Sequence, residues 1–133
     1  MTRLSLSQLS LSGRMMTLPS LDLQPAYLSE VKVCFSQEDW PEQTITFNTE
    51  WPDANAAGLC WDYEQDIYIA IRDIHIRPIE QVIDTIAHEA YHAVVRINRI
   101  IGDDNPSEEM IARLVGIITG FLFTEYMKKI IQE

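Results

Sequence analysis

Residues 79–101 read IEQVIDTIAHEAYHAVVRINRII, and this stretch decides the expected fold. Stepping about 100° per residue around a helix places its apolar side chains on one stripe, with His88 and His92 on the opposite side. The stripe consists of Ile79, Val82, Ile83, Ile86, Ala90, Ala93, Val94 and Ile97. Pro78 suits a first helical turn, and Gly102 suits a helix end. The segment therefore predicts an amphipathic helix that packs against a core.

A second helix is predicted downstream, beginning at residues 105–108 (NPSE) and running to about Ile130. We expect Asn105 to cap it, Pro106 to take the first helical position and Glu108 to complete a capping box. Its predicted apolar face consists of Ile111, Leu114, Ile118, Phe121 and Leu122.

Upstream of the first helix, apolar and polar residues alternate, which is typical of β-strands. The alternation predicts strands at residues 31–35, 44–48, 59–63 and 66–72, with a short turn at Glu64 and Gln65. The fold class that we expect is therefore α+β: a small antiparallel or mixed sheet, then the helix with the two histidines, then a long C-terminal helix.

The chain has 133 residues, of which 47% are hydrophobic and 23% charged, and this composition fits one packed domain. We assign residues 31–133 to that domain and residues 1–30 to an N-terminal arm that is loosely attached or adds to a sheet edge. The formal charge of −10 argues against nucleic-acid binding and against binding to anionic membranes. The apolar stretch 110–123 contains Arg113 and is too short to span a bilayer.

Two cysteines, Cys34 and Cys60, make neither a disulfide framework nor a zinc-knuckle spacing. Residues 1–18 show no secretory signal, because Ser and Gln interrupt the apolar run. We therefore predict partly buried thiols in a cytoplasmic protein.

The chemistry is carried by residues 88–92 (HEAYH), an H-E-x-x-H motif within the first helix. Shuffling this composition yields such a match by chance in about four chains in a thousand. Two imidazoles one helical turn apart can bind one Zn²⁺, which lowers the pKa of a bound water. Glu89 lies about 100° round the helix and is placed to act as a general base without binding the metal.

A catalytic zinc needs a further protein ligand. The extended pattern H-E-x-x-H-x-x-G-x-x-H is absent, because Val95 and Asn98 occupy its remaining positions. The candidates considered are His75, Asp103, Asp104, Glu108 and Glu109.

We favour Glu109 as the third ligand, with Glu108 as the main alternative, because Glu108 is expected to serve in the capping box. Glu109 shares a helix face with Arg113, Gly116 and Gly120. Small residues there would let the second helix lie close against the histidine face of the first, with the zinc held between the two helices.

The order of strand 66–72, the H-E-x-x-H helix, a loop and a helix with residues 109–112 (EMIA) resembles the minimal gluzincins. These are metallopeptidases of the zincin fold whose third zinc ligand is a Glu on a later helix. The Glu-x-x-Ala step is similar to the ligand helix of the ImmA/IrrE-type and related small zincins, many of which are encoded by phages or mobile elements. The resemblance covers about residues 58–125.

The resemblance implies that His88, His92 and Glu109 bind Zn²⁺ and that Glu89 is the general base. It also implies that strand 66–72 is the sheet edge on which an extended peptide lies.

This chain departs from the family four residues after the ligand Glu. Such families often carry there an Asp that orients a zinc-bound His, whereas this chain has Arg113. Asp84 or Asp73 could take that role. The candidates for stabilising the oxyanion are Tyr91, His75, Tyr126 and Arg113.

The sequence thus predicts a zinc-dependent metallopeptidase that acts on a peptide or protein substrate. The leading alternative is a zincin-fold binding or regulatory protein without turnover. A third hypothesis is a metal-free interaction module whose acidic surface binds a basic partner.

Overall fold

The computed structural model describes residues 18–41 and 49–132. The strands are β1 (Ser20–Asp22), β2 (Glu30–Cys34), β3 (Gly58–Tyr63) and β4 (Asp66–Ile71), and the helices are α1 (Ile79–Ile101) and α2 (Glu108–Gln132). A short 3-10 helix, Gln37–Asp39, follows β2. The predicted α+β class is confirmed, and the predicted strand 44–48 lies outside the described residues.

The four strands form one mixed sheet in the order β1-β2-β4-β3. β2 and β4 run parallel, whereas β1 pairs with β2 and β3 pairs with β4 in antiparallel fashion. Part of the predicted arm therefore adds to a sheet edge, as Ser20–Asp22.

The expectation that strand 66–72 forms a sheet edge is wrong, because β4 has a neighbour on each side. The physical reason is its composition. Ile67, Ile69, Ala70 and Ile71 are fully buried, which is typical of a central strand. Among the strands within residues 18–41 and 49–132, β3 is the edge strand that packs against α1.

The hairpin between β3 and β4 turns at Glu64 and Gln65, as predicted. Their φ angles are 51° and 73°. A two-residue loop with both φ angles positive matches the right-handed twist of the strands that it joins.

The core lies between one face of the sheet and the two helices. Alternate residues of the central strands point into it and meet the apolar stripes of α1 and α2. Its buried members include Val31, Val33, Ile67, Ile69, Ile71, Val82, Ile86, Ala90, Ala93, Val94, Ile97, Leu114, Ile118 and Leu122. The predicted stripes are thereby confirmed, except that Ile79 and Ile83, near the start of α1, are 49% and 41% exposed.

A second, smaller hydrophobic cluster consists of the buried residues Cys34, Trp40 and Ala70. The partly buried aromatic side chains of Trp51, Trp61 and Tyr68 pack against it. The indole N–H of Trp40 donates to the Thr49 carbonyl at 3.1 Å. Cys34 and Cys60 are both free thiols, as predicted, and both are buried rather than partly buried.

The ends of the helices follow local rules. Gly102 ends α1 with φ at 77°, and its N–H donates to the carbonyls of Asn98 and Arg99. The predicted cap of α2 is wrong. The helix begins at Glu108, and the Ser107 hydroxyl accepts the Met110 N–H at 3.1 Å, which is the N-cap interaction.

α2 is anchored by Leu114, Ile118, Leu122 and Tyr126, all of which are buried. The predicted close approach at its glycines is not observed, since a Cβ added at Gly116 or Gly120 meets nothing within 4 Å. The larger side chains bury more apolar area, and they turn the glycine face outward.

α2 has 25 residues and is long and apolar enough to cross a membrane by length and composition. The argument from the shorter stretch 110–123 therefore does not apply to the whole helix. In the window that meets this criterion, 22% of the residues are buried inside the protein.

Candidate metal centre

The two motif histidines point the same way from the exposed face of α1. Their Nε2 atoms lie 3.1 Å apart, and their ring centroids are 4.7 Å apart with an interplanar angle of 75°. Two nitrogen ligands about 2.05 Å from a tetrahedral zinc are about 3.3 Å apart. His88 and His92 therefore converge at a spacing that suits one metal ion. The same spacing permits a hydrogen bond between the rings, with the tautomers deciding the donor.

Glu89 lies between α1 and the sheet and is only 5% exposed. Burial raises its pKa, and electrostatic interactions with His88 and then with Arg96 partly oppose that effect. A raised pKa makes a carboxylate a stronger base, and this suits a group that accepts and returns a proton. The helical geometry thus places a buried acid beside two exposed imidazoles.

Arg96 connects the motif helix to the edge strand. One helical turn after His92, its guanidinium forms an ion pair with the Asp62 carboxylate and lies 5.7 Å from the Trp61 ring centroid. We did not predict a role for Arg96. Its spacing from His92 was visible in the sequence, whereas its partners on β3 depend on the packing of strand against helix.

Glu108 and Glu109 both lie exposed in the first turn of α2. Because the helix begins at Glu108, Met110 occupies the third position, where a capping box would carry a Glu. Both acids suit the positive end of the helix dipole equally. The reason for preferring Glu109 to Glu108 as a ligand therefore no longer applies.

The structure brings together His88 and His92, with Glu89 next to them on the same turn. Within residues 18–41 and 49–132, no group of three or more His, Cys, Asp or Glu side chains is placed to hold a metal ion. A third ligand, whether Glu109 or another of the candidates, stays a prediction.

The residues considered for orienting a zinc-bound His and for stabilising the oxyanion lie in different environments. Tyr126 is buried in the core, whereas Tyr91 is 53% exposed on the helix that carries the histidines. Asp73 accepts a hydrogen bond from the Arg72 side chain at 2.9 Å. Asp84, His75 and Arg113 are exposed. Tyr91 is thus the oxyanion candidate that shares a helix with both histidines.

Comparison of the chain with protein-family models, with curated proteins and with solved structures finds no match.

Proposed function

We propose that this chain is a zinc-dependent metallopeptidase, with a zincin-like fold, that hydrolyses peptide bonds in a peptide or protein substrate. The observation that carries the proposal is the convergence of the His88 and His92 Nε2 atoms, 3.1 Å apart, beside a buried Glu89. A cytoplasmic location without nucleic-acid or membrane partners, predicted from composition, belongs to the same proposal.

In the proposed reaction each side chain has one role. His88 and His92 bind the metal together with a carboxylate, Glu109 or Glu108. The zinc, when bound, supplies a water of lowered pKa and polarises the substrate carbonyl. Glu89 accepts the proton of the attacking water and delivers it to the leaving amine.

The edge strand β3 offers a binding site for the substrate, and this supports the proposal. Its outer edge has no neighbouring strand among the described residues, and β3 passes beside Glu89 at Gly58 and beside Arg96 at Asp62. An extended peptide can add to a free strand edge through main-chain hydrogen bonds. We therefore assign the substrate to β3 rather than to β4.

The first test is zinc stoichiometry by elemental analysis. We expect one zinc per wild-type chain and a loss in the double variant His88→Ala/His92→Ala. Arg99→Ala serves as the matched control, because it changes an exposed side chain of α1 that is not among the candidate ligands. Full zinc content in the double variant would refute the proposed site. Glu108→Ala and Glu109→Ala, measured in parallel, identify which acid is the third ligand.

The second test separates hydrolysis from binding. We expect cleavage of a peptide library that requires zinc and that Glu89→Gln abolishes while zinc is retained. The alternative is a zincin-fold binding or regulatory protein without turnover. Bound zinc without cleavage of any peptide would establish that alternative.

A further inference from the structure

The first residue of β3, Gly58, lies where the edge strand crosses α1. A Cβ built on Gly58 would lie 2.8 Å from Thr85 Cγ2, 3.0 Å from the Ala70 carbonyl oxygen and 3.1 Å from Glu89 Cγ. By contrast, a Cβ added at Gly116 meets nothing within 4 Å. Only a residue without a side chain lets strand and helix approach this closely at the position of Glu89.

Of the three neighbours of Gly58, two are held in place. The Thr85 hydroxyl donates to the Gln81 carbonyl at 3.1 Å and accepts from Arg77 Nη2 at 2.8 Å. The Ala70 carbonyl belongs to the fully buried central strand. The neighbour that retains rotatable bonds is the side chain of Glu89. A methyl group at position 58 would therefore clash most severely with Thr85 Cγ2, at 2.8 Å. It would also press on Glu89 Cγ, at 3.1 Å, and this side chain can give way by rotation about its own bonds.

We infer that Gly58 is the positioning residue for Glu89, and that its missing side chain fixes where the carboxylate stands relative to His88 and His92. This inference rests on the proposed hydrolysis, in which Glu89 transfers the proton. A displacement of the carboxylate of about 1 Å can lower the rate of a reaction about 100-fold.

The test compares Gly58→Ala with Gly116→Ala in the zinc-loaded protein. We expect kcat to fall at least about tenfold in Gly58→Ala, with KM nearly unchanged. The zinc content should stay at the wild-type level, because both histidines lie on the exposed face of α1. Gly116→Ala should keep the wild-type kcat.

A compensating substitution distinguishes positioning from general damage. Thr85→Ser removes the Cγ2 atom that lies 2.8 Å from the added Cβ, and it keeps the hydroxyl with its two hydrogen bonds. The double variant Gly58→Ala/Thr85→Ser should recover part of kcat relative to Gly58→Ala, with Thr85→Ser alone as the reference. If Gly58→Ala does not fold, the double variant is compared directly with Thr85→Ser.

NMR of the zinc-free protein tests the position of Glu89 without metal and without turnover. In the zinc-free protein, the NMR signals of the Glu89 γ-methylene group should shift in Gly58→Ala and return toward wild type in the double variant. The ring signals of His88 and His92 should keep their wild-type chemical shifts.

Two outcomes would overturn the inference. One is an active wild type with an undiminished kcat in Gly58→Ala, and the other is a fall in kcat without a shift of the Glu89 signals. A zinc-loaded wild type that hydrolyses no peptide overturns the proposed function itself.

Discussion

At the scale of single residues, depth in the structure decides the chemistry of each group. His88 and His92 lie in solvent, whereas Glu89, next to His88 in sequence, is 5% exposed. The cause is the step of about 100° per residue, which turns Glu89 toward β3. One turn of helix thus presents two solvated imidazoles and one buried acid.

The thiols provide a prediction at this scale. Burial raises the pKa of Cys34 and of Cys60 to about 12. Because the thiolate is the reactive form, neither thiol should be modified by iodoacetamide at pH 8 in the folded protein. Both should be modified in denaturant, and mass spectrometry counts the adducts. Rapid modification of the native protein would show that at least one thiol is accessible.

Glu30 provides a pH-dependent prediction. A hydrogen bond from the Ser20 hydroxyl lowers the pKa of the Glu30 carboxyl below its ordinary value of 4.5, and a hydrogen bond from Lys32 acts in the same direction. The ionised carboxylate therefore stabilises the fold above pH 4.5, and this contribution disappears as the pH falls through the lowered pKa. Solvent screening limits it to about 1 kcal/mol, since the side chain is 35% exposed.

Glu30→Gln should therefore lower the free energy of unfolding at pH 7 and leave it unchanged at low pH. Urea denaturation at several pH values measures the difference. An equal loss at every pH would show that the charge of Glu30 is not the cause.

At the scale of elements, the two helices differ in how they begin and in what they bury. α1 follows Pro78 and ends at Gly102, whereas α2 is capped by Ser107. α1 packs against β3, β4 and α2 and leaves its histidine face open. α2 buries one stripe, and its other side exposes apolar residues such as Ile117 and Phe123.

The cap of α2 can be tested directly. Ser107→Ala removes the acceptor of the Met110 N–H and should lower the free energy of unfolding by about 1 kcal/mol. Asn105→Ala, at the position that the sequence favoured as the cap, is the control and should change it much less. Urea denaturation of both variants measures the effect, and a larger loss in Asn105→Ala would return the cap to that position.

At the scale of the whole molecule, the proposed zinc binding predicts a change in stability. A metal ion that binds the folded chain and not the unfolded chain raises the free energy of unfolding, by about 2.7 kcal/mol at 100 times its Kd. Zinc should therefore raise the Tm of the wild type, and a chelator should reverse the shift. Calorimetry of His88→Ala/His92→Ala is the control. An equal shift in that variant would indicate that zinc binds elsewhere.

Much of the fold could be predicted from periodicity, because each segment's pattern reports which of its faces is buried. The strands of the β3–β4 hairpin, its turn at Glu64 and Gln65, and α1 lie where the patterns placed them. The start of α2 was predicted incorrectly because Asn and Ser are both favoured at the N-cap position. The backbone conformation that leads into the helix decides between Asn105 and Ser107. The central place of β4 depends on strand pairing, which periodicity does not report.

The sequence by itself determined the α+β class, the two helices and the pairing of His88 with His92, since all of these follow from local spacing. Only the tertiary structure decided that, in the described part of the chain, β4 is a central strand and β3 an edge strand that packs against α1, that Glu89 is buried against Gly58, and that Gly116 and Gly120 face solvent. The physical reason is that these features depend on which surfaces of distant segments bury the most apolar area together, and that is a property of the whole packing.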